Sequence, residues 1–142
     1  MKNLTKIKIR KPAHEVFEAF VDPEKIGNFW FSSSSARWEQ GKTITLRYDE
    51  YAAQADIKVL DVEADKKIVF QWGAPGEEHI VTIALQTLDH AVTIVEVCEE
   101  GFNERDENFI SHLLDNKEGW VYMLTCLKAY LEFGVTHCEP DW

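Results

Sequence analysis

The sequence contains no run of 18 apolar residues, so nothing in it is expected to span a bilayer. Lys2, Lys6, Lys8, Arg10 and Lys11 crowd the start, but no apolar stretch follows them, and a secretion signal is not expected. Proline and glycine are scarce, at 4 and 7 residues, which excludes a linker-rich or low-complexity chain. Cysteine is scarcer still. Cys98, Cys126 and Cys138 are odd in number and form no CxxC pair, so free thiols in a reducing cytoplasm are the expectation. Positive charge is in deficit. Fifteen Lys and Arg against 25 Asp and Glu leave a net charge of −10, a field that repels phosphate. Neither nucleic acid nor a membrane surface is an expected partner.

What is present fits a folded domain. Hydrophobic residues make up 45% of the chain and charged residues 28%. Its 142 residues are enough for one continuous core, and 1–142 is read as a single domain. Thr5, Ile7 and Ile9 alternate with Lys6 and Lys8, the period of a strand with one wet face. Pro12 suits the first position of a helix carrying Ala13, Val16, Phe17 and Phe20. Asp22-Pro23 predicts the cap and first residue of a second short helix. Serines 32–35 read as a surface loop. Strands are predicted over 43–48, 55–62, 68–72, 79–88 and 92–99, with an apolar phase slip between Val59 and Leu60 that suggests a bulge. Residues 103–116 read as a loop plus a short helix. Over 117–133 the apolar residues Trp120, Leu124, Leu127 and Leu131 recur at helical spacing beside a narrow polar stripe, predicting a helix buried over most of its circumference. Gly134 suits its C-terminal cap.

The predicted fold class is therefore α+β. A curved antiparallel sheet of about six strands wraps around the long C-terminal helix, with two short helices after the first strand. A sheet curved around one helix tends to leave a cavity between them.

Several segments carry a family resemblance: 12–17 (Pro-Ala-His-Glu-Val-Phe) with Ala19-Phe20, then 22–26, Phe29-Trp30 and 68–72. Further on come 93–97 leading to Gly101-Phe102, and Gly119-Trp120 with 127–132. In this order they resemble the helix-grip (SRPBCC, START-like) superfamily of pollen allergens, lipid-transfer domains and polyketide cyclases. Within it the chain is most similar to the branch named after the C-terminal domain of the activator of Hsp90 ATPase, and to the calicheamicin-resistance proteins. The resemblance covers nearly the whole chain and implies the helix-grip fold. The Hsp90 activator has a second, N-terminal domain that carries much of the chaperone contact. The chain has no room for it, and an Hsp90 partner is doubtful on that ground.

Trp30, Trp38, Trp72 and Trp120 are candidates for an aromatic-lined pocket, with Phe17 and Phe102 beside them; ordinary core packing uses the same residues. Met123, Leu124 and Leu127 should face the sheet and serve either as core or as pocket lining. Val95, Val97 and Glu99 share one strand face. If that face points inward, Glu99 lies at the cavity rim and could serve as a general base; the alternative is a solvated strand end. Arg47 could hold an anionic head group or simply lie on the surface. The five histidines are scattered and show no zinc spacing; His137-Cys138-Glu139 with Cys126 reads as a frayed tail, as does Trp142. No metal or cofactor is expected, and no nucleophile elbow, phosphate loop or nucleotide fingerprint is present. The leading expectation is a cytoplasmic protein that binds a small hydrophobic or aromatic molecule between sheet and helix. A cyclase- or hydrolase-like enzyme using the same cavity, through Glu99 or a histidine, is the alternative. A chaperone-associated interaction module comes third. A homodimer could form through an exposed sheet edge.

Overall fold

The structure, a computed structural model, describes residues 1–136 and residue 138. His137, Glu139 and Trp142 lie outside the described residues. The elements run β1 (Lys2–Ile9), α1 (Ala13–Val21), α2 (Pro23–Ile26), β2 (Ser33–Ser34), β3 (Thr43–Tyr48), β4 (Ala53–Glu63), β5 (Lys67–Trp72), β6 (His79–Asp89), β7 (Val92–Glu100) and α3 (Phe109–Phe133). The strands form one antiparallel sheet in the order β1-β7-β6-β5-β4-β3-β2. From β3 to β7 each strand pairs with the next in the chain, and β1 joins the far side against β7. This is the helix-grip arrangement expected from the period-two segments and the long terminal helix.

Alternation sets the inner face. Ile44 and Leu46 of β3, Ile68 and Phe70 of β5, Val81 and Ile83 of β6, and Val95 and Val97 of β7 are all buried, while their neighbours in sequence are more exposed. Against them pack Val16, Phe17 and Phe20 of α1 and Trp120, Met123, Leu124 and Leu127 of α3, giving one continuous core. The ladder between β4 and β5 shifts register between Val59 and Asp61, where the apolar phase slips. Asp22 caps α2 by accepting a hydrogen bond from the Glu24 N–H, and Gly134 closes α3 in the left-handed conformation.

Four local expectations are corrected. The sheet has seven strands, because the middle of the serine run, Ser33–Ser34, is a short edge strand rather than loop. Ser33 and Ser34 pair with Arg47 and Leu46, and the hydroxyls of Ser32 and Ser35 accept from the Asp49 and Thr45 backbone amides. Hydroxyl groups hold this edge strand, and a hydrophobic pattern does not register them. Pro12 is the residue before α1, not its first helical residue. The terminal helix starts at Phe109, so residues 103–108 are the expected loop, but the short helix read after it is the first part of one 25-residue helix. Its first turns are polar because they extend past the core. Ile110 is 65% exposed and Leu114 63%, and burial over most of the circumference begins only near Trp120. Finally, Cys126 and Cys138 are joined in a disulfide and only Cys98 is free, which removes the thiol argument for a reducing compartment.

The free edge of β1 is covered by α3. The Lys117 and Lys128 ammonium groups donate to the Leu4 and Lys8 carbonyls, satisfying edge acceptors that could otherwise recruit another strand. Among the described residues, no helix is long and apolar enough to cross a membrane.

Candidate functional site

Three inward rows of the sheet end at the same place. On β5 the row Ile68, Phe70 ends in Trp72; on β7 the row Val95, Val97 ends in Glu99; on β6 the row containing Val81 begins with His79. Trp72 pairs with His79, and Val81 with Glu99, so register puts Trp72, His79 and Glu99 on the same face. Above them, one turn of α3 supplies Asn116 and Trp120, four residues apart on one side of the helix.

Glu99 is the hub. It is 3% exposed. Its Oε1 accepts from Asn116 Nδ2 at 2.9 Å and Trp120 Nε1 at 3.0 Å. Its Oε2 accepts from His79 Nδ1 at 2.6 Å and, at a longer 3.4 Å, from Trp72 Nε1. The two indole N–H groups and the Asn116 amide can only donate, so three of the four contacts bring donors to Glu99; His79 makes the fourth in the tautomer that carries its N–H on Nδ1. Asn116 is itself set by Asn3, whose Nδ2 donates to Asn116 Oδ1 at 2.9 Å and to the Leu113 carbonyl at 3.0 Å. A chain of hydrogen bonds therefore runs from the edge strand through the helix to the buried charge.

On one side of this hub lies a groove of about 310 Å³ lined by Trp30, Phe31, Tyr48, Trp72, Asp115, Asn116, Gly119 and Trp120. Its volume is at the low end of small-molecule sites. Trp72 and Trp120 stack with ring centroids 5.7 Å apart, and Trp30 stands 5.5 Å from Trp120. Burial pushes the Tyr48 hydroxyl up to about 12, with the Trp30 indole pulling the other way, so the phenol stays neutral. Gly119 leaves the helix side open: a Cβ there would meet nothing within 4 Å.

On the other side lies a larger groove of about 570 Å³, bordered by the 74–77 turn, His79, Gly101, Phe102, Asn103, Asp106 and His112. Among the described residues no group of His, Cys, Asp and Glu is arranged to hold a metal ion.

The aromatic and apolar residues singled out in the sequence thus fall into three places. Trp30, Trp72 and Trp120 line the first groove, and Phe102 lines the second. Phe17, Trp38, Met123, Leu124 and Leu127 are buried in the core cluster, with Trp38 donating its indole N–H to Ser34 Oγ at 3.3 Å. Glu99 sits between the grooves with its acceptor positions occupied, an arrangement suited to positioning other groups rather than to taking up a proton. Arg47 lies exposed on β3. His79 and Asn116 were not singled out. The signal for His79 was its phase with Val81; for Asn116 it was the four-residue spacing to Trp120.

The family model described as activator of Hsp90 ATPase homolog 1-like protein matches residues 10–132. Among solved structures, protein SSP2350 from Staphylococcus saprophyticus is 53% identical, with a TM-score of 0.85 over 96% of each chain. DynU16, from the dynemicin biosynthetic locus, is 26% identical with a TM-score of 0.84; the match covers 99% of this chain and 50% of that one. The Aha1 dimer from Colwellia psychrerythraea is 21% identical with a TM-score of 0.80, over 94% of this chain and 98% of that one. No curated protein matches the sequence. With more than four fifths of its length matched, the chain belongs to the family of activator of Hsp90 ATPase homolog 1-like proteins.

Proposed function

We propose that the chain, acting as a single START-like domain over 1–142, binds a small, flat, hydrophobic or aromatic molecule in the groove walled by Trp30, Trp72 and Trp120. The observation that carries this reading is the tethering of two indoles to one buried carboxylate. Trp72 and Trp120 have their N–H groups bound to Glu99, so their rings are fixed before a ligand arrives and little ordering is left for binding. The expected site between sheet and helix is a groove over the exposed half of α3, since the core cluster fills the space under its second half.

Gly119 allows a clean test. Gly119→Leu places a side chain in the open groove at a helical position where leucine is favoured over glycine by roughly 0.5–1 kcal/mol. The variant is expected to fold with an unchanged or higher Tm and to bind the neutral dye N-phenyl-1-naphthylamine at least tenfold more weakly than the wild type. Equal affinity in the two proteins would sink the proposal.

A homodimer is the partner this surface supports. Ile110, Leu114 and Val121 form an apolar stripe on the outer face of α3, with Val121 47% exposed, and the Colwellia relative is described as a dimer. Light scattering should then give twice the chain mass of 16.4 kDa, falling to the single mass in Leu114→Glu. A monomeric wild type at high concentration removes this assignment.

A further inference from the structure

The larger groove shares no lining residue with the tryptophan groove, and two imidazoles line it, of which His79 is the one held in place. Three features hold the His79 ring. Its Nδ1 donates to Glu99 Oε2 at 2.6 Å. Its ring packs against Phe102 at a tilt of 57°, centroid to centroid 4.5 Å. Gly101, at φ +116°, gives it room: a Cβ there would stand 3.0 Å from His79 Cδ2 and 2.8 Å from the Glu78 carbonyl oxygen. With Nδ1 committed to a buried carboxylate, Nε2 is the ring nitrogen left for the groove, and among the described residues it has no hydrogen-bond partner. A histidine needed only to satisfy Glu99 would not require a ring support and an adjoining glycine.

We propose that this groove is a proton-transfer site in which His79 Nε2 accepts the proton of a neutral, weakly acidic hydroxyl, a phenol or an enol, lying against Phe102. The O–H bond breaks, its electron pair stays on the oxygen, and the proton bonds to Nε2, giving an imidazolium beside the oxyanion. Glu99 remains a carboxylate throughout. It holds the ring and stabilises the imidazolium, which makes it a positioning residue. The charge pattern selects a ligand that enters neutral. The net charge of −10, with Glu77 and Asp106 on the groove wall, repels carboxylates and phosphates. A second imidazole, His112, stands on the same wall with Nδ1 3.4 Å from Asp106 Oδ2, and supplies a polar neighbour for the oxygen.

The test uses 4-nitrophenol below its own pKa with protein carrying 15N-labelled histidine. Saturating probe is expected to move the His79 Nε2 resonance from the unprotonated to the protonated range and to produce the absorption band of bound phenolate. His79→Asn keeps a side-chain N–H donor for Glu99 but lacks Nε2; it should remain folded and lose the band. Gly119→Leu, which obstructs the tryptophan groove and does not line the His79 groove, should keep it. The proposal is overturned by an Nε2 resonance that does not move at saturation, by no bound phenolate at all, or by a band that survives in His79→Asn. A band lost in Gly119→Leu overturns it as well, since the probe would then sit in the other groove.

Discussion

A buried carboxylate is costly to leave unpaired, and the four donors around Glu99 show how the chain meets that cost. Glu99→Gln replaces one acceptor oxygen with a donor amide that faces two other donors. The substitution should destabilise the fold by about 3 kcal/mol, read by urea unfolding, and raise the mobility of Trp72 and Trp120, read by fluorescence anisotropy. An unchanged midpoint would mean that the indoles are held by packing alone. The inward phase of Glu99 was legible from its alternation with Val95 and Val97. A solvated strand end was nevertheless the favoured reading of the sequence, because only the tertiary structure brings Asn116 and Trp120 over Glu99. His79 stayed hidden for the same reason: a single strand cannot reveal which residue its neighbour places opposite.

At the scale of elements, α3 is fastened to β1 by charge as well as by packing. Glu132 Oε2 accepts from the Arg10 backbone N–H at 3.0 Å and from Lys128 Nζ. Desolvation pushes this carboxyl upward, but the Lys128 ammonium, the Arg10 amide and the Arg10 charge outweigh it and hold the group below its ordinary value of 4.5. A group with a lowered folded value contributes stability above its unfolded value, and that contribution disappears as pH falls through the folded one. Glu132→Gln should therefore cost about 1 kcal/mol at pH 7, and the gap to the wild type should close as the pH drops below 4.5. A gap that persists at acid pH would assign the effect to packing. Most strands were readable because alternation reports a half-buried sheet directly. The start of α3 and the two-residue strand β2 were not. The first turns of α3 reach past the core, where no apolar stripe is required, and β2 is held by serine hydroxyls and the β3 edge.

For the whole molecule, the order of elements settled the architecture: a period-two series followed by one long apolar helix leaves few ways to cover the sheet. What composition misled was the state of the thiols. Cys126, buried on α3, is joined to Cys138 across 12 residues, which ties the described part of the tail back to the helix. Denatured, unreduced protein should show one thiol, that of Cys98, and three after reduction; closing a loop of this size is worth about 3 kcal/mol, so reduction should lower the Tm. Three thiols before reduction would contradict the bond.

Ligand uptake in the groove between Trp30, Trp72 and Trp120 is the proposal on which the rest depends. The most direct measurement is a crystal structure with N-phenyl-1-naphthylamine bound. Density for the dye is expected between those three rings, with the Trp72 and Trp120 N–H groups still on Glu99. Dye found elsewhere on the molecule, with this groove empty, would contradict it.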